Sequence, residues 1–124
     1  MSKQTETNAL RVREIVDKII NGGDIELADE YYREDYIQHN PHVAQGRAGL
    51  KAVLKHMHGS GKPMHAEIVL MDAVEDRVWV LLSWSGGDRS PGAPALQSSV
   101  EVFRVEDGMM AEHWDCVQIG NEPL

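Results

Sequence analysis

The sequence predicts a single α+β domain with helices first and a β-meander after them. Three observations predict it. In the first half, apolar residues recur at spacings of three and four, the helical period. From residue 65 onward, segments rich in Val, Leu and Trp alternate with turn signals, as strands do. No linker, repeat or low-complexity tract divides the 124 residues, so one core is expected to serve residues 1–124.

The elements follow in order. Val12, Ile15, Val16, Ile19 and Ile20 gather on one stripe of a first helix. Thr7 or Asn8 is its expected N-cap, and Asn21-Gly22-Gly23 supplies residues that tolerate left-handed geometry at its end. Asp24 then caps a shorter helix reaching about Tyr32. Tyr36-Ile37-Gln38-His39 reads as extended, and Asn40-Pro41 stops it, because a residue before proline avoids the helical region. Gly46 opens a turn into a helix at residues 47–58, with Leu50, Val53, Leu54 and Met57 on one face. Gly59-Ser60-Gly61-Lys62-Pro63 ends that helix. Strands are expected at residues 67–74, 77–85, 98–106 and 109–119. Glu75-Asp76 and Asp107-Gly108 form turns, and a loop at 86–94 holds Asp88-Arg89-Ser90-Pro91-Gly92. In the second of these strands Val78, Val80, Leu82 and Trp84 lie on one side, and Trp79 and Leu81 on the other. Helices cover one side only. The other therefore calls for a partner, most simply a second copy in a homodimer, unless the sheet curls enough to shelter both.

Charge and composition narrow the class. Twelve Lys and Arg stand against 20 Asp and Glu, a net charge of −8 that argues against nucleic acid and anionic membranes as partners. The one cysteine, Cys116, cannot form an internal disulfide, which points to a reducing compartment. The opening Met-Ser-Lys-Gln-Thr-Glu-Thr-Asn has no apolar signal core, and the apolar stretch at 78–82 is far short of the ~20 residues that span a bilayer. A cytoplasmic location is the expectation.

The chemistry concentrates in two segments. In Glu112-His113-Trp114-Asp115-Cys116-Val117-Gln118, strand alternation puts His113, Asp115 and Val117 on one face. A carboxylate set among Val, Trp and Phe side chains has its charged form disfavoured, the condition for a general base beside a carbonyl. The bland reading is a solvent-facing Asp115 or one paired with Arg104 across the hairpin. In Tyr36-Ile37-Gln38-His39-Asn40-Pro41, the imidazole of His39 and the amide of Asn40 stand where the chain turns, and both can donate to a carbonyl oxygen or enolate. There the bland reading is a turn-initiating Asn40 and a capping His39. His56 and His58 point different ways on a helix, and no zinc-type spacing is present. Gly46-x-x-Gly49 reads as a turn, and Cys116 as an inert strand residue.

Taken with the element order, Tyr36-Ile37-Gln38-His39-Asn40-Pro41, Gly46, Gly108 and Glu112-His113-Trp114-Asp115 resemble the SnoaL-like family of the nuclear transport factor 2-like superfamily. The likeness runs over residues 10–119, and its pairing of motifs is most similar to the branch named for predicted aldol condensation. It implies a cone-shaped fold in which a curved antiparallel sheet wraps around helices and encloses an apolar cavity, with dimerisation across the sheet. It also implies cyclisation without cofactor or metal, with the cavity aspartate at Asp115 as acid/base and His39 and His113 as softer transfers. Trp84, Phe103 and Val117 are the expected pocket lining, with Asn40 beside them. The rival readings are a noncatalytic small-molecule binding module with the same cavity, and a scaffold dimer whose cavity is incidental.

Overall fold

The first helix begins earlier than its apolar stripe. In a computed structural model that describes residues 2–87 and 95–120, α1 spans Lys3–Glu14. Its N-cap is Ser2, not Thr7 or Asn8: the Ser2 Oγ accepts from the Thr5 N–H at 3.2 Å. α1 runs on without a break into a π-helical segment, Ile15–Asn21. The wider turn lets the consecutive Ile19 and Ile20 both reach the interior cavity. The segment ends where the sequence predicts, in an αL cap at Gly23. Gly23, at φ +73°, donates to the Ile19 carbonyl, and Asp24 donates to that of Lys18.

The second helix is shorter than expected. A 3-10 turn, Ile25–Leu27, leads into α2, Ala28–Tyr31, and Tyr32 is already extended. It opens β1, Tyr32–Gln38, and α3 follows at Gly46–Gly59. The meander comprises β2 (Met64–Val74), β3 (Arg77–Gly86), β4 (Leu96–Glu106) and β5 (Met109–Ile119). The β4–β5 turn has both Asp107 and Gly108 at positive φ, as a type I′ hairpin requires. The loop motif Asp88-Arg89-Ser90-Pro91-Gly92 lies outside the described residues.

The expected antiparallel sheet is mixed. Its order is β1-β5-β4-β3-β2, with β1 parallel to β5 and every other pairing antiparallel. β1 is separated from the meander by α3, and so long a connection imposes no hairpin geometry on it. β5, last of the strands in sequence, therefore lies inside the sheet, between β1 and β4. Register shifts at Ile68/Leu70 and Arg104/Val105 bend the strands around α1, which packs on β2 and β3, while α3 packs on β1. Asn21 ties the π-helical end to edge strand β2, its side chain exchanging two 2.8 Å hydrogen bonds with the Ala66 backbone.

The two faces of β3 separate as alternation predicts. Val78, Val80, Leu82 and Trp84 are buried against the helices, together with Phe103 and Met110. Each such burial is worth about 1.5–3 kcal/mol in water-transfer terms. On the outer face Trp79 remains 49% exposed, so bending the sheet does not cover both sides. Among the described residues, no helix is long and apolar enough to cross a membrane.

Candidate active site

The site forms where β1, β5 and β4 lie side by side. Parallel register sets Gln38 opposite His113, and antiparallel register sets Glu101 opposite Asp115 and Phe103 opposite His113. Alternation turns Tyr36 and Gln38, Glu101 and Phe103, and His113 and Asp115 toward the helices. There they line a cavity of about 230 Å3. Ile19, Ile20, Leu50, Leu54, Met57 and Phe103 supply apolar wall, and Gln38, Asn40, Glu101, His113 and Asp115 make the polar end. Among the described lining residues there is no Lys or Arg.

Hydrogen-bond accounting fixes the protons. The Gln38 Oε1 accepts from the Asn40 N–H at 3.0 Å, and its Nε2 donates to the Tyr36 hydroxyl at 3.0 Å, so the orientation of this amide is set. Gln38 Oε1 also lies 2.8 Å from the His113 Nδ1, which must then carry a hydrogen. The other ring nitrogen, Nε2, stands 2.8 Å from the Glu101 Oε1. An imidazole nitrogen and a carboxylate oxygen so close share one proton, whichever atom holds it. His113 is buried, and the Glu101 side chain is 12% exposed. Asp115 completes the group: Asn40, whose Oδ1 accepts from the His42 N–H, donates from Nδ2 to the Asp115 Oδ2 at 3.1 Å. The second oxygen of Asp115 has no hydrogen-bond donor among the described residues. Burial holds the Tyr36 phenol well above its usual titration range, with nearby Tyr32, Glu101 and Asp115 adding to the effect.

One ligand-type atom from each of Glu101, His113 and Asp115 lies within 4.8 Å of the others. These three could hold a metal ion, but only by displacing the Glu101–His113 hydrogen bond. His42, His56, His58 and His65 do not line the cavity.

Six of the residues singled out from sequence meet at this cavity: Asn40, Trp84, Phe103, His113, Asp115 and Val117. Trp84 lies there with its Nε1–H donated to the Ser99 Oγ at 2.8 Å, and Val117 is 54% exposed. His39 does not meet them. Gln38 faces inward, so the next side chain faces out, and His39 stacks on Trp114 at 4.8 Å with its Nε2 2.7 Å from Glu112. That contact, with Arg104 second, holds the Glu112 carboxyl below the usual carboxylate range. Arg104 bonds Glu112 at 2.9 Å and Glu106 at 3.2 Å, so it is not the partner of Asp115. Cys116 is an exposed free thiol.

Sequence reasoning missed Glu101, Tyr36 and Gln38 as site residues. A signal for Glu101 existed, since a charged residue in step with Phe103 and Val105 along β4 must face inward with them.

A bent mixed sheet that packs on helices around an apolar cavity, with acids and an imidazole at one end, is the architecture of the nuclear transport factor 2-like fold. The chain belongs to the SnoaL-like domain family, whose profile matches residues 12–113. Among solved structures it is similar to a LEH-like epoxide hydrolase of M. tuberculosis, at 19% identity and TM-score 0.75 over 93% of this chain and 85% of that one. A protein of Jannaschia sp. CCS1, provisionally named a SnoaL-like polyketide cyclase, gives 18% identity and TM-score 0.77 over 94% and 89%. One of Kribbella flavida, provisionally named a ketosteroid isomerase, gives 20% and 0.75 over 97% and 84%. Identities this low show the fold alone. No curated protein matches the sequence.

Proposed function

We propose that the cavity carries out cofactor-independent acid/base catalysis on a small apolar carbonyl compound, with aldol-type ring closure as the reaction. One observation carries this reading. Asp115 has one carboxylate oxygen without a donor among the described residues, and its carboxylate reaches within 4.8 Å of a Glu101–His113 pair that holds a proton in common. A base and an acid therefore stand side by side in an apolar hollow. Asp115 removes a proton from the carbon next to the carbonyl, and the C–H electron pair becomes the enolate. As the enolate carbon closes on a second carbonyl, the Glu101–His113 pair gives its proton to the alkoxide that forms. Exchange with solvent moves the proton now on Asp115 back to the pair, so protons balance over the cycle. Each placed transfer contributes ~100–10,000-fold, and the cavity walls supply the rest by holding a near-attack shape.

The names of the similar structures span cyclase, isomerase and hydrolase, and a base beside an acid serves each of those reactions. The competing reading, a binding module without chemistry, leaves the unpaired Asp115 oxygen without purpose. The same proposal pairs two copies through the outer sheet face, where Trp79 and Val100 stay exposed.

The test is exchange of the α-hydrogens of α-tetralone for deuterium in D2O, followed by NMR. Wild-type protein accelerates the exchange and Asp115→Asn does not. Exchange equally fast in the variant removes Asp115 from the chemistry.

A further inference from the structure

One buried donor at the polar end has no part in these proton transfers. The Tyr36 side chain lines the cavity, is 2% exposed, and accepts a 3.0 Å hydrogen bond from the Gln38 Nε2. Its own O–H hydrogen has no acceptor among the described residues. A buried hydroxyl with no acceptor for its hydrogen is costly, and a ligand oxygen at the polar end would relieve that cost. Its orientation is not free. Gln38 occupies one lone pair, and the ring is fixed edge-on to Tyr32 at 5.0 Å and stacked with His113 at 6.3 Å. Tyr36 lines the cavity, so a ligand seated there can supply the acceptor that this hydrogen lacks among the described residues. Burial and the carboxylates of Glu101 and Asp115 all favour the neutral phenol, so this donor is present at every pH the fold tolerates.

The volume limits what can accept that hydrogen. At roughly 20–30 Å3 per packed non-hydrogen atom, 230 Å3 holds about eight to twelve of them, below the ~300–1,000 Å3 pockets of drug-sized ligands. The walls are apolar, and every acid or amide is at one end. A matching ligand is a compact hydrocarbon frame with its carbonyl oxygens toward one end, not a polycycle with polar groups on several edges.

The geometry points to Tyr36 as the hydrogen-bond donor to the substrate's carbonyl oxygen, and to compact ketones of about eight to a dozen non-hydrogen atoms as the ligand class. This rests on the acid/base reading for the reaction, and gives it the donor that steadies the enolate oxygen while Asp115 holds the proton. It concerns binding, however, and binding is read without turnover, so the two fail separately.

The experiment uses α-tetralone, its hydrocarbon counterpart tetralin and a tetracyclic ketosteroid, each titrated into the whole protein by calorimetry. Wild-type protein binds tetralone more tightly than tetralin, and the ketosteroid most weakly. Tyr36→Phe weakens tetralone binding about 3- to 10-fold, the worth of one hydrogen bond, and leaves tetralin unchanged. Infrared spectroscopy reads the contact directly. The carbonyl stretch of bound tetralone lies below its value in a hydrocarbon solvent for wild-type protein, and moves back toward that value in Tyr36→Phe. A wild-type band at the hydrocarbon value overturns the assignment without reference to any variant. Equal losses for tetralone and tetralin in Tyr36→Phe overturn it too, since that is what a packing role gives. A ketosteroid bound as tightly as tetralone overturns the size limit, and no tetralone binding at all overturns the ligand class. Tetralone bound by Asp115→Asn but no longer exchanged leaves both assignments standing. Tetralone bound through Tyr36 with exchange unaffected by Asp115→Asn keeps the ligand and sinks the chemistry.

Discussion

The two sides of β5 carry the same contact, a carboxylate against an imidazole, in opposite settings. On the outer side His39 meets Glu112 at 2.7 Å, and on the inner side His113 meets Glu101 at 2.8 Å. Outside, Arg104 adds a guanidinium to Glu112 at 2.9 Å, Trp114 stacks on the imidazole, and the His39 side chain is 41% exposed. The charge there is matched and wet, which makes the group an ordinary surface network. Inside, the third member is another carboxylate, Asp115, and the far nitrogen of His113 rests on an uncharged amide. The third partner, more than the pair itself, separates a structural contact from a candidate catalytic one.

The contrast can be broken, the largest effect first. Asp115→Asn should slow α-hydrogen exchange ~100- to 10,000-fold, whereas Glu112→Gln, one turn of alternation away, should change it less than about twofold. Similar losses from both would abolish the functional division of the strand. In stability the division shows on β3: Leu82→Ala, at a fully buried inner position, should cost about 2–5 kcal/mol by urea unfolding, against under ~1 kcal/mol for its outward neighbour Leu81→Ala. Comparable costs would mean that the outer face is packed as tightly as the inner. His39→Ala, which loses the Trp114 stack and the Glu112 bond, should lower stability by about 0.5–1.5 kcal/mol and leave exchange untouched. A fall in exchange would return His39 to the site.

The smallest effect is in acid. The folded-state pKa of Glu112 is lowered, by His39 first and Arg104 second, so the stability it contributes is present above the unfolded carboxylate value of ~4.3. That stability is lost as pH falls through the lower folded value. With the side chain partly wetted, the contribution is under about 1 kcal/mol. Glu112→Gln should therefore flatten the acid limb of a stability–pH curve by that amount, and a limb of unchanged slope would show that the pair contributes nothing.

The helices, all four strands of the meander and the faces of β3 and β5 were legible in the sequence, because each follows from a period within one segment. Asp107-Gly108 and Gly22-Gly23 were legible for the same reason, being local backbone chemistry. The parallel seat of β1 was not, since nothing in Tyr32 to Gln38 states which strand it will join. The assignment of His39 to the cavity failed there: its facing is decided by the phase of β1 against β5, and Gln38 holds the inward position. Glu101 was hidden differently. Its role depends on lying across from Asp115, a pairing set by the hairpin register 14 residues apart in the chain, while its inward phase could have been read from Phe103 and Val105.

The interior place of β5 has a consequence for biosynthesis. On a ribosome the meander through β4 and the α3-linked β1 emerge before the strand that joins them, so the nascent chain waits with two open edges and half a cavity. Each edge exposes unpaired amides to any other extended chain, and only the arrival of the final strand closes both. Folding and assembly of this side-chain cluster are then a single event: until β5 is made, no nascent chain holds Asp115 and Glu101 together.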